Sequence, residues 1–343
     1  MHRDGGEVGI QVQPQPARLK RNARQVWDMS PVLSNLTVVA KQVAILFALM
    51  GAGYGCNKAK LFGETAVKGM TELLVMIVAP CLIVHSFQRP YDPAMLAGLG
   101  FAFVISVAVH AVGIFCGHLL RGGAEDSRRT MRFAILFSNA GFMGIPLEQA
   151  VLGTEGVFYG AVYVAVFNMI CWSYGVMMMG GGRSAMSLKG ILANPGLLGV
   201  AAALPIFFFS VRLPEVVGEP VKMLADINTP LAMVIIGYYL AEADFSAVAG
   251  NVRAWAVILL RLVAIPSVVL AALWLLARTV DMPPKMMEAM VVAASAPVAA
   301  LTTAFSVKYG RDVPLSVGLV ALSTLLSVVT MPPLVALAMT AFS

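Results

Sequence analysis

Ten long apolar runs fill most of the chain, and no other feature limits the possible folds as strongly. Their approximate limits are residues 37–56, 67–87, 94–120, 130–152, 156–179, 187–210, 221–241, 252–277, 286–307 and 313–341. About 20 apolar residues cross the hydrocarbon of a bilayer as a helix, so each run is expected to be one span. The composition agrees, with 59% hydrophobic and only 12% charged residues. A soluble domain carries roughly 25% charged residues. A chain this poor in charge cannot coat a compact body in water, so the lipid bilayer is its expected partner.

The net charge of +6 does not point to nucleic acid, because the basic residues sit in short loops between apolar runs. Loops after the odd-numbered runs hold twelve Lys and Arg, among them Arg128, Arg129, Arg183 and Lys189; loops after the even-numbered runs hold five. The positive-inside rule then puts the odd loops in the cytoplasm and both termini outside. The expected location is the plasma (bacterial inner) membrane. Residues 1–36 lack a clear cleavage site, and the apolar run behind them is too long for a signal peptide. They are expected to form a polar, disordered tail.

Cys56, Cys81, Cys116 and Cys171 are widely spaced, without a CxxC or Cys/His cluster. No metal, disulfide or cofactor is expected. HExxH, Walker A and GxSxG patterns are absent, which argues against an enzyme and against ATP-driven work within this chain.

Prolines recur at nearly one offset. Pro80 and Pro230 are 150 residues apart, and Pro146 and Pro297 are 151 apart. This suggests two five-span units, 37–180 and 187–343, joined by a short loop at 181–186. An odd number of spans inserts the second unit upside down. Inverted repeats of this kind place a binding site near the bilayer midplane.

The fourth run contains Ser138-Asn139-Ala-Gly141-Phe-Met-Gly144-Ile-Pro146-Leu-Glu148. Proline gives its helix no amide hydrogen and clashes with the carbonyl four residues back. The ninth run contains Ala293-Ala-Ser295-Ala-Pro297. Both stretches are built from small residues, which allow close helix approach. The expectation is two interrupted helices that cross at close range. Helix N-termini at the crossing would favour an anion, with Ser138, Asn139 and Ser295 adding neutral polar groups. Ionisable residues inside the spans are costly and mark function by default. Asp226 and Arg261 are candidates to pair with each other for gating or coupling. His110 and Glu148 are further candidates, Glu148 near the start of the second half of its helix.

The fourth-run stretch Asn139-Ala-Gly-Phe-Met-Gly-Ile-Pro146-Leu resembles the Asn-x-x-x-Met-Gly-Ile-Pro-Leu signature of the auxin efflux carrier (PIN-like) family. Val78-Ala-Pro80-Cys-Leu-Ile, Leu192-Ala-Asn194-Pro195, Pro230 with Gly237, and Ala296-Pro297 before Lys308-Tyr309-Gly310 fit the same family in order. The resemblance covers about residues 40–340 and implies an all-α polytopic membrane protein. Its ten transmembrane helices would form two inverted five-helix repeats, with crossed, proline-broken helices four and nine. It implies a secondary carrier for a small organic anion, working by elevator-type alternating access. Plant members export auxin, and bacterial members are linked to dicarboxylates such as malate and malonate. By position, Asn139, Pro146 and Pro297 would form the substrate site, with Ser138, Gly141 and Ser295 beside them. The loop between runs five and six leaves no room for the hydrophilic domain of the long plant forms, which favours a bacterial-type carboxylate carrier. Two alternatives stay open: a sodium- or proton-coupled transporter of another solute class, and a membrane sensor on the same fold without flux. A homodimer is compatible with either reading, and the sequence does not identify a coupling ion.

Overall fold

A computed structural model of the protein describes residues 29–182 and 194–342. Arg183 and Lys189, which enter the orientation count, lie outside them, as do residues 1–28 of the expected tail. The described residues are helical throughout, without a strand.

Helix α1 spans Met29–Lys58, so the helix begins ahead of the apolar run that marks it. Pro31 falls in its first turn, where a missing N–H is tolerated. Next come α2 (Glu64–Phe87) and α3 (Pro93–Leu119). Helix α4 (Glu125–Leu136) stops short, and after a three-residue break α5 runs from Ala140 to Gly180. Gly153 turns the chain inside α5 with φ 71° and ψ −160°, a conformation open essentially to glycine alone. Residues 140–152 and 154–180 are therefore separate rods. Helix α6 is Pro195–Phe208, and α7 is Glu215–Ala241 with a bend at Ile227. A short α8 (Ser246–Ala249) leads to α9 (Val252–Leu276). Helices α10 (Pro284–Ser295) and α11 (Leu301–Lys308) flank a second break, and α12 (Val313–Phe342) ends the chain.

Seven of these, α1, α2, α3, α5, α7, α9 and α12, are long and apolar enough to cross a bilayer. Bulky apolar side chains face outward on them, including Val104 and Phe115 of α3, Leu275 of α9 and Val329 of α12. Outward apolar surface of this kind suits lipid rather than water.

The prolines are accommodated in a regular way. Wide π-turns at Leu74–Val78, Ala140–Gly144 and Leu260–Ala264 lie just ahead of Pro80, Pro146 and Pro266. In each case the carbonyl four residues before the proline falls inside the wide turn. A π-turn opens the helix there and relieves the ring clash. Proline alone therefore need not break a helix here. Where α1 crosses the second half of α7, glycines admit the opposing backbone. A Cβ on Gly53 would sit 2.1 Å from the Val234 carbonyl oxygen, and one on Gly237 would sit 1.9 Å from that of Met50.

The interior is centred on α10, whose residues from Met286 to Ser295 are all buried. It packs against α5 and α12. This arrangement brings the two chain breaks together.

Candidate functional site

The break after α4 and the break after α10 lie side by side as a short antiparallel bridge between Ser138 and Val298. The Asn139 amide donates to the Pro297 carbonyl at 2.7 Å, and the Ala299 amide donates to the Phe137 carbonyl at 3.0 Å. Each broken segment thus supplies partners for the other's backbone. Non-helical backbone at membrane depth survives only where protein or a wet cavity satisfies it. A third group joins from α12, where the Ser323 hydroxyl accepts from the Val298 amide at 3.1 Å.

Arg261, fully buried on α9, closes the arrangement. One guanidinium nitrogen donates to the carbonyl of Ile135 at 3.2 Å, and another donates to the carbonyl of Ala294. Those carbonyls belong to the last turns of α4 and α10. Helix C-termini carry unpaired carbonyls and about half a negative charge each, so a cation belongs there. One residue therefore holds both broken ends. The second halves begin on the other side of the bridge: the 140–152 rod after Asn139, and α11 after the second break. The carbonyl of Asn139 accepts from Met143 and Gly144 at 2.9 and 3.1 Å, which starts the first of these.

The expected site residues divide as follows. Ser138, Asn139, Ser295 and Pro297 meet at the crossing and are buried. The Ser138 hydroxyl shares a hydrogen bond with the Tyr163 hydroxyl at 3.3 Å, and the Ser295 hydroxyl donates to the Val292 carbonyl at 2.9 Å. The Asn139 side-chain amide makes no hydrogen bond among the described residues. Gly141 lies at the opening of its π-turn, uncovered, with no atom near its missing Cβ. Gly144 lies against Ala293 and Ala296, as the small-residue faces predicted.

Pro146 requires a correction. It does not break its helix; residues 137–139 do, and Pro146 stands inside the following helix behind the π-turn. Pro297 sits within its break, so the two prolines occupy different places in the crossing. The pairing of Asp226 with Arg261 also fails. Asp226 is exposed and bonded to Lys222 at 2.7 Å on its own helix, whereas Arg261 uses carbonyls instead of a carboxylate. His110 is buried on α3 and its Nδ1–H donates to the Ser106 carbonyl at 2.7 Å. Its ring lies 5.2 Å from that of Tyr163, which places it behind the crossing rather than in it. Glu148 is buried with its carboxyl against Gly160, and it makes no hydrogen bond to the crossing.

Three participants were not singled out from the sequence. Tyr163 and Ser323 bond the crossing directly. Asn228, buried at the start of the second half of α7 with its side-chain nitrogen unpartnered, lies on a helix packed against the 140–144 turn. Ser323 had a visible signal, because Ser316, Ser323 and Ser327 repeat at helical spacing along one buried face of α12. A cavity of about 480 Å³ lies elsewhere, between α1, the end of α7 and α12, lined in part by Phe47, Tyr54 and Lys58.

These features define a helical integral membrane protein built around a paired helix break. The chain belongs to the membrane transport protein family, whose model matches residues 38–335. This is the auxin efflux carrier family that its fourth-run motif resembles. It is similar to an uncharacterized transporter from Methanothermobacter thermautotrophicus, with 25% identity over 316 residues, covering 87% of this chain and 96% of that protein.

Proposed function

We propose that this transporter is a secondary carrier for a small organic anion, such as a mono- or dicarboxylate of malonate size, bound at the crossing. The observation that carries the reading is the charge pattern around the paired break. Arg261 is offset by the two helix C-termini it holds, at about half a charge each. The two helix N-termini on the other side of the bridge are then left with roughly one positive charge between them. Beside them, the Asn139 side-chain amide has no hydrogen-bond partner among the described residues. Unpaired amides at a helix start together with a free carboxamide suit a carboxylate.

The reading includes ten spans in two inverted repeats, 37–180 and 187–343, with the 181–186 loop lying mostly outside the described residues. The seven long helices give seven spans, with α5 counted for its 154–180 rod. α6 adds one, and two more come from the broken pairs, α4 with 140–152 and α10 with α11. Packing supports the two-fold relation, because partners are exchanged: α1 packs on α7, while α6, its expected counterpart, packs on α2. The tight α1–α7 contact at Gly53 and Gly237 suits a fixed frame against which the crossing bundle slides, as in an elevator mechanism. Both termini on the outer side of the inner membrane, and a homodimer, belong to the same proposal.

Thermal unfolding of the purified protein tests the charge argument. Malonate, malate and other small carboxylates are expected to raise Tm through preferential binding to the folded state. Neutral malonamide is expected to leave it unchanged. Equal stabilisation by malonamide, or none by any small carboxylate, overturns the reading.

A further inference from the structure

Glu148 is a buried acid that the crossing does not use. It lies on the 140–152 rod, which begins directly after Asn139, and its side chain reaches the 154–180 rod at Gly160. Its residue is 1% exposed. A Cβ on Gly160 would lie 1.7 Å from Glu148 Oε2, so the carboxyl fills the space that only glycine leaves there. Both carboxyl oxygens are without a hydrogen-bond partner among the described residues. Ile145, three residues before Glu148, and Val157, three residues before Gly160, belong to one buried apolar cluster with Leu82 and Ala225.

Titratable side chains surround this region without engaging it. Tyr163, on the 154–180 rod, bonds Ser138 instead. On the helices packed against α5, His110 of α3 bonds Ser106, and Lys285 and Glu288 of α10 pair with each other. Cys81 and His85 of α2, Lys41 of α1 and Tyr238 of α7 make no hydrogen bond or ion pair with Glu148 among the described residues. The described part of α6 carries no titratable group.

We propose that Glu148 is a proton-binding site that moves one proton with each substrate anion. The proposal rests on the carrier reading and names its coupling ion. A carboxylate anion buried without a hydrogen-bond donor is strongly disfavoured, whereas the neutral acid is tolerated. The rod therefore closes onto Gly160 only with a proton on Glu148. In the step itself one O–H bond forms between a carboxylate oxygen and a proton, and the reverse occurs where the rod opens to water. Asn139 caps the rod that carries Glu148, so substrate and proton change sides together.

Proteoliposomes loaded with a pH-sensitive dye separate this proposal from the carrier reading. Labelled malonate counterflow reports the carrier, and interior acidification on adding external malonate, relative to protein-free vesicles, reports the proton. The wild type is expected to show both. Glu148→Gln is expected to keep counterflow within about threefold and lose acidification, and Glu148→Asp to retain it. Acidification by Glu148→Gln equal to the wild type overturns the proposal, as does wild-type counterflow with no proton movement. If Glu148→Gln loses counterflow as well, wild-type vesicles with an inside-alkaline gradient and clamped voltage decide. Malonate accumulation above protein-free vesicles then supports proton coupling, and its absence overturns it. Absent wild-type counterflow is a failure of the carrier reading instead.

Discussion

Arg261 donates to the carbonyl of Ile135 at 3.2 Å, and the same guanidinium reaches Ala294 on the other broken helix. No carboxylate among the described residues pairs with it. Two helix C-termini do so, and one side chain thereby ties both broken helices together.

Replacing Arg261 is therefore expected to loosen both breaks. Hydrogen bonds to a charged group contribute about 1.5–3 kcal/mol each, so Arg261→Ala should cost about 3 kcal/mol or more. Arg261→Lys should recover part of this, because an ammonium keeps the charge but lacks the planar fork that spans two acceptors. Thermal unfolding in detergent measures both variants. An Arg261→Ala protein that melts with the wild type would show that the clasp is dispensable.

Ser323 makes a smaller contribution of the same kind. Ser323→Ala removes the acceptor for the buried Val298 amide. An unsatisfied buried donor costs about 1–3 kcal/mol. The expected result is a lower Tm with Ser316→Ala, a residue away from the bridge, used for comparison. Equal Tm values for the two variants would count against the role given to Ser323.

The α1–α7 frame offers a steric test. Gly237→Ala would bring a Cβ to 1.9 Å from the Met50 carbonyl oxygen, and the atoms it meets there are backbone. Overpacking of this kind costs about 1–3 kcal/mol. Gly69→Ala, where nothing lies within 4 Å of the added atom, should be neutral or nearly so. A melting temperature unchanged in Gly237→Ala means the helices are free to move apart there.

Much of this architecture was legible in the sequence, for a physical reason. Lipid demands long apolar helices, so the positions of α1, α2, α3, α9 and α12 follow from composition alone. The crossing was legible too, because small residues around Asn139 and Ala293 have few other uses. The position of the first break was not. Pro146 looked like the breaker, yet a π-turn absorbs its ring, and the chain opens earlier because residues 137–139 find partners around Pro297. That partnership is made by tertiary contact, and local patterns do not record it. The pairing of Asp226 with Arg261 failed for a related reason. Both residues looked buried and ionisable, but Lys222, one helical turn before Asp226, was already the nearer partner. Two carbonyl ends as the counterweight to a buried arginine leave no trace in residue types.

The central claim is that an organic anion crosses the membrane by binding beside Asn139 at the paired break. Counterflow of labelled malonate in proteoliposomes measures it most directly, comparing the wild type with Asn139→Ala. The wild type should show a transient overshoot of label. The variant should need roughly tenfold more malonate for the same rate, which corresponds to about 1.4 kcal/mol, with its melting temperature little changed. A wild type with no overshoot for any small carboxylate would contradict carriage of such anions. An Asn139→Ala protein with wild-type counterflow would move the binding site away from the crossing.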